Sequence, residues 1–340
     1  MKKRLLQYLQ YFIFLGGGLA LVWWQLSSMK PDEKTEFYEA IHHVRYWVIG
    51  PVVVLALLSH LARSLRWRLL MEPLQYRPGL LNTFCVTMVG YLANSAVPRL
   101  GEVLKCTLLA RYENLKTEKL IGTILVERAF DVFCYLLFIG FTILIQIDVI
   151  SKYARENINR AVASPALPVW AKISIVAGGI IFLVILFRWL FRKYSHIRFV
   201  ERIRHFFMGL NEGLSVIRHL KKKKLFLAYT LLIWTCYLFQ IYLGFFAMAA
   251  TAHLSLKAAC SVLTLATLAM IATPGGIGSF PLGVMQTLRV YAIPRTLGKA
   301  FGWVMWGVST GIIIVVGIIC LLMLPAINKK KNEISPVNPL

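Results

Sequence analysis

Acidic residues are scarce in this chain: 15 Asp and Glu stand against 38 Lys and Arg, a net charge of +23 over 340 residues. Charge of either sign is sparse, at 16% against about 25% in ordinary soluble domains. HExxH, CxxC pairs and Walker loops are all missing, and no polar block is long enough for a nucleotide-binding domain. The cysteines are few, at six, and most lie inside apolar runs, which disfavours a disulfide framework or a thiolate metal site. No cofactor and no metal are expected. The basic excess does not indicate nucleic acid, because it gathers at the ends of apolar stretches and in one loop.

What is abundant is hydrocarbon. Apolar residues make up 58% of the chain, above the roughly 45–50% of soluble domains, so the sequence predicts an all-α polytopic membrane protein. Six stretches are long enough for a core of about 30 Å: Leu5–Leu26, Trp47–Leu65, Gly122–Ile147, Val169–Trp189, Leu225–Ala250 and Phe301–Leu324. The first is read as an uncleaved helix, since Trp23-Trp24-Gln25 stands where a signal peptide needs small residues. Two further stretches are broken. Leu80–Leu109 is interrupted at Pro98-Arg99-Leu100-Gly101-Glu102, and Ala258–Ile293 at Pro274-Gly275-Gly276-Ile277-Gly278.

Charge placement assigns the sides. Lys2, Lys3 and Arg4 put the N-terminus in the cytoplasm, Arg63, Arg66, Arg68 and Arg77 do the same for the second loop, and Arg188–Lys224 for the longest basic loop. A plain crossing by Leu80–Val97 would invert everything after it and expose that basic loop to the outside. Two re-entrant hairpins, the first entering from the cytoplasm and the second from outside, restore the rule. The prediction is six full spans, two broken hairpins and both termini inside, an arrangement that an inverted-topology repeat would give. One integral domain is expected over 1–326, with an external loop at 27–45, a basic amphipathic cytoplasmic segment at 191–224 and a disordered tail at 327–340. Val200, Ile203, Phe206, Phe207, Leu210, Leu214 and Ile217 recur at helical spacing in the basic segment.

The hairpins and the following span hold the candidate site. An Arg or acid at the bilayer centre costs roughly 2.5–3.5 kcal/mol on insertion scales. Asn94, Arg99 and Glu102 lie at the first break; they either meet a lipid headgroup or form a charge pair that caps a helix at the interface. Glu127 and Asp131, four apart, share a helix face, with Arg128 within i,i+3 reach of Asp131. They are expected to face the bundle interior near Arg99 and Glu102, either as site residues or as an ion-pair lock. Pro274, Gly275, Gly276 and Gly278 allow close backbone approach and aim N–H groups at an anion, with Arg289 as the one nearby cation.

These motifs, Asn94…Pro98-Arg99-Leu100-Gly101-Glu102, Glu127-Arg128…Asp131 and Pro274-Gly275-Gly276-Ile277-Gly278, resemble the transmembrane, flippase-like domain of lysylphosphatidylglycerol synthases over about Leu5 to Leu324. The resemblance implies a bacterial inner-membrane protein that moves a phospholipid, an aminoacylated lipid or a polyprenyl-linked lipid between leaflets, with anionic phospholipid or polyprenyl-linked lipid as its expected partner, as a stand-alone unit without the aminoacyl-transferase domain. Ser279, Phe280 and Pro281 stand where the family often carries an acid after its glycine turn. A homo-oligomer or a partner lipid-modifying enzyme also fits the family. The alternatives are a membrane transferase using Glu102, Glu127 or Asp131 as a base, and an accessory or scaffold subunit.

Overall fold

The computed structural model describes residues 16–97, 100–146, 174, 178, 217–218 and 220–334. The helices are α1 (16–27), α2 (Pro31–His42), α3 (Tyr46–Met71), α4 (Leu80–Ala96), α5 (Leu100–Glu113), α6 (Thr117–Ile145), α7 (Lys223–Phe245), α8 (Leu256–Met270), α9 (Ser279–Val290) and α10 (Arg295–Ile334). No strand occurs among the described residues. The helices beginning at Tyr46, Thr117, Lys223 and Arg295 are long and apolar enough to span a membrane. The predicted spans Leu5–Leu26 (up to residue 15) and Val169–Trp189 (apart from residues 174 and 178) lie outside the described residues, as does most of the basic segment 191–224.

The chain divides into two compact units, Met1–Leu125 with Leu220–Leu340, and Val126–His219. In the first unit the usual polarity is inverted. Leu231, Ile271 and Leu322 are 70–74% exposed, whereas Arg66 is fully buried and Lys105 nearly so. Such a surface suits hydrocarbon, and polar side chains then have reason to turn inward.

α3 and α7 run antiparallel, and four contacts fix their register. The Arg45 N–H donates to the Ala247 carbonyl at 2.8 Å, Arg63 to the Tyr237 hydroxyl at 2.8 Å, Arg66 to Thr230 Oγ1 at 3.2 Å, and Lys222 to Glu72 at 2.6 Å. This corrects the expectation that Arg63 and Arg66 belong to the loop after a span ending at Leu65. α3 continues to Met71, with Arg63 about two-thirds of the way along it. Their charges are satisfied by facing α7, which a hydropathy window has no means of seeing.

Each broken stretch folds back on itself. In the first hairpin, the Gly79 N–H and Asn82 Nδ2 at the start of α4 both donate to Glu113 at the end of α5, at 3.0 and 2.7 Å. In the second, the Ser261 hydroxyl near the start of α8 lies 2.9 Å from the Tyr291 hydroxyl just past α9. The first hairpin follows the Glu72 end of α3 and the second follows the Ala247 end of α7. Because those ends are on opposite faces, the hairpins enter from opposite sides. The order span–hairpin–span thus occurs twice, as an inverted-topology repeat requires.

α10 gauges the depth of both tips. Its apolar stretch Phe301–Leu324 is about 36 Å long. Trp306 donates to the Gly275 carbonyl at 2.9 Å, and Gly317 packs against Leu92 and Met88. The centre of that stretch falls between Trp306 and Gly317, so both tips end near mid-membrane. Farther along, Asn328 and Asn82 exchange reciprocal amide hydrogen bonds of 2.9 Å at the base of the first hairpin. α10 runs on as far as Ile334, into the segment 327–340.

That amide pair is buried and joins hairpin to span. Asn82→Ala leaves Asn328 Oδ1 without its donor, while Asn328 Nδ2 keeps the Leu324 carbonyl, and is expected to destabilise the protein by about 1–3 kcal/mol. A double-mutant cycle with Asn328→Ala, read by thermal unfolding in detergent, should show strong coupling. Additive losses would mean that the pair does not act as a unit.

Candidate functional site

The first hairpin is built around a backbone crossing. A β-carbon on Gly101 would overlap the Gly90 carbonyl oxygen and the Asn94 side chain, so only glycine permits α4 and α5 to pass this closely. Asn94 Oδ1 accepts the Gly101 N–H at 2.8 Å, satisfying one donor that the first turn of α5 leaves open. Glu102 lies in that first turn, the end of a helix that favours negative charge. Pro98 and Arg99 lie outside the described residues.

The second tip is a 3₁₀ turn, Pro274–Gly276, leading into α9. Gly275, Gly276 and Gly278 take positive φ of 58°, 71° and 72°. Thr273 closes the turn. Its hydroxyl donates to the Ile277 carbonyl at 2.9 Å and lies 2.6 Å from the Ser279 hydroxyl. Gln25 of α1 donates to the Gly278 carbonyl at 2.7 Å. Ser279 therefore has a structural task at the place where the resemblance led us to look for an acid.

The two tips meet. A β-carbon on Gly275 would lie 3.5–3.7 Å from the Cα, carbonyl oxygen and Cβ of Ser95. The opposed hairpins thus form a septum of irregular backbone close to mid-membrane. Such backbone is tolerated only when enclosed by protein or beside water.

Buried cations lie along the helices that border the first hairpin. Arg63 and Arg66 on α3 reach across to α7, and Arg66 also stands over the Phe226 ring at 5.6 Å. The Lys105 ammonium of α5 lies 4.4 Å from the centroid of Trp67, whose indole donates to Thr123 at 2.9 Å. His60 of α3 packs against Tyr91 of α4 at 5.2 Å between ring centroids. His60 Nδ1 and Gln240 Nε2 of α7 are buried with no hydrogen-bond partner among the described residues. The α3–α7 register puts these two residues at one level. Arg63 and Arg66 went unrecognised as site candidates in the sequence; their i,i+3 spacing within an extended apolar helix was the available signal.

Arg289 lies elsewhere within the first unit. Arg289 is exposed in the last turn of α9, contacting Gln286 at 3.3 Å and about 16 Å along the helix from Gly278. A helix beginning at Ser279 carries it to the hairpin base, away from the turn. Glu127, Arg128 and Asp131 belong to the second unit, on α6. Glu127 is fully buried, and Arg128 approaches Asp131 to 4.0 Å in the predicted i,i+3 pair.

The chain matches the family described as the lysylphosphatidylglycerol synthase TM region over residues 9–317. It belongs to that family. The matched stretch takes in both hairpins and α10 as far as its contact with Leu92, so the tip-to-tip septum lies within the family's own region. Membership and the four spans together make this a multi-pass membrane protein of a lipid-related family. No curated protein and no solved structure matches the chain.

Proposed function

We propose that this family member moves an anionic phospholipid or lipid-linked substrate between leaflets, without nucleotide hydrolysis, in a bacterial inner membrane with both termini cytoplasmic. The observation that carries the reading is the meeting of two opposed hairpins, Ser95 against Gly275, near mid-membrane. A septum made of two short half-crossings is a barrier that opens when either tip retracts. Access then alternates between faces without a full span being moved.

Arg63, Arg66 and Lys105 supply buried positive charge for a phosphate beside the first hairpin, and Asn94 and Glu102 line its tip. The unpartnered polar atoms of His60 and Gln240 add donors or acceptors. Each costs about 1–3 kcal/mol when unsatisfied, so a polar headgroup or water is welcome at that level. The Gly275–Gly278 turn supplies conformational give.

Purified protein in phosphatidylglycerol vesicles should accelerate leaflet exchange of a labelled anionic lipid. Arg66→Gln should lower the rate about tenfold or more, from the loss of a charged hydrogen bond, and Glu102→Gln should alter it in folded protein. If exchange never exceeds that of protein-free vesicles, the proposal fails. A second reading, a scaffold whose arginines only fasten α3 to α7, is favoured by the Tyr237 and Thr230 contacts. On that reading, Arg63→Gln and Arg66→Gln lower thermal stability but never give a folded, inactive protein.

A further inference from the structure

A cavity of about 400 Å³ opens where α3 ends and α7 begins, lined by Arg68, Glu72, Tyr76, Arg77, Lys221 and Lys222. Among the described lining residues, four cations face one carboxylate, a formal excess of +3. Glu72 is engaged with Lys222 at 2.6 Å, and among the described lining residues the rest of the positive charge has no acidic counterweight. The charge is also placed against helix electrostatics. α7 begins at Lys223 with Lys221–Lys224 gathered at its positive end, no acid in its first turn and no side-chain cap among the described residues. Lysines there oppose the macrodipole where an anion would complement it.

The setting indicates the chemistry of the anion. Immediately beyond the lysines, Leu225, Leu227 and Leu231 are 40–70% exposed on α7, and Leu80 and Leu81 are exposed at the start of α4. Tyr76 adds an amphipathic ring at the rim. Cations at headgroup level beside an apolar exposed surface match a ligand with an anionic head and a hydrocarbon tail. The volume also exceeds what a bare inorganic anion would fill.

We infer that this basic cavity is a separate phosphoryl-anion site, distinct from the hairpin septum, that holds the phosphate headgroup of an anionic lipid at the α3–α7 end. It is read by binding rather than by exchange, so it stands or falls independently of the transport proposal.

The full-length protein, delipidated in neutral detergent, is titrated with phosphatidylglycerol, phosphatidylcholine or sodium phosphate. Binding is followed by native mass spectrometry and by the shift in melting temperature. Phosphatidylglycerol should bind and protect; phosphatidylcholine should do neither. Arg77→Gln/Lys221→Gln should weaken phosphatidylglycerol binding about thirtyfold at low salt. Glu72→Gln should tighten it about fivefold, an opposite sign that misfolding does not mimic. Sodium phosphate that protects as well as the lipid, and loses that effect in the double variant, supports the anion site but assigns it to a soluble phosphate. Equal binding of both lipids, or unchanged phosphatidylglycerol binding in both variants, overturns the site.

Discussion

Ser95→Cys/Gly275→Cys is expected to form a disulfide under mild oxidation and to reduce lipid exchange at least tenfold, with recovery on adding reductant. The Ser95 Cβ lies 3.7 Å from the position of a β-carbon on Gly275, inside the roughly 3.5–4.5 Å that a disulfide spans. The experiment needs a background in which the six native cysteines are replaced. A cysteine at 275 must adopt the positive φ of 58°, a strain of about 1–3 kcal/mol that the fold has to tolerate. Mass spectrometry of peptides joining the two tips checks the contact, and vesicle exchange before and after reduction checks its consequence. Exchange that continues at full rate through a complete cross-link would show that the tips need not part. Absence of any cross-link in folded protein would show that they do not meet.

Substitution at Gly101 is expected to cost the most stability, about 3 kcal/mol even for Gly101→Ala. The obstruction is the Gly90 carbonyl, part of a helix backbone that has no rotamer by which to withdraw. The new side chain would also press on Asn94 and break its bond to the Gly101 N–H. Gly122→Ala is the matched control, since a β-carbon there meets nothing within 4 Å; it should fall within about 0.5 kcal/mol of the parent. Melting in detergent, followed by fluorescence-detected size exclusion, distinguishes the two. Equal melting temperatures would contradict the crossing.

The hairpins were legible in the sequence because two independent constraints agreed. Pro98 and Gly101, like Pro274 and Gly275–Gly278, break a helix locally, and the basic loops on either side can share the cytoplasm only if each broken stretch turns back. Depth was not legible. An Arg–Glu pair at an interface and one at mid-membrane have the same letters, and only α10, with Trp306 at one tip and Gly317 beside the other hairpin, sets the level. Arg63 and Arg66 misled for a related reason. Hydropathy ends a span at a charge, whereas a helix continues wherever a partner such as Tyr237 or Thr230 meets that charge.

By itself, then, the sequence determined the solvent, the approximate spans among the described residues, the two breaks and their opposite directions of entry. These follow from composition, local backbone preference and summed charge, which are properties of short stretches. Only the tertiary structure decided that Ser95 meets Gly275, that Arg63 and Arg66 turn into the α3–α7 interface, that Arg289 stays at a hairpin base, and that four cations gather round one cavity. Those outcomes depend on helices far apart in the chain arriving at the same height. Height is set by packing, by Trp306 against Gly275 and by Asn82 against Asn328, and no short window of sequence contains both partners.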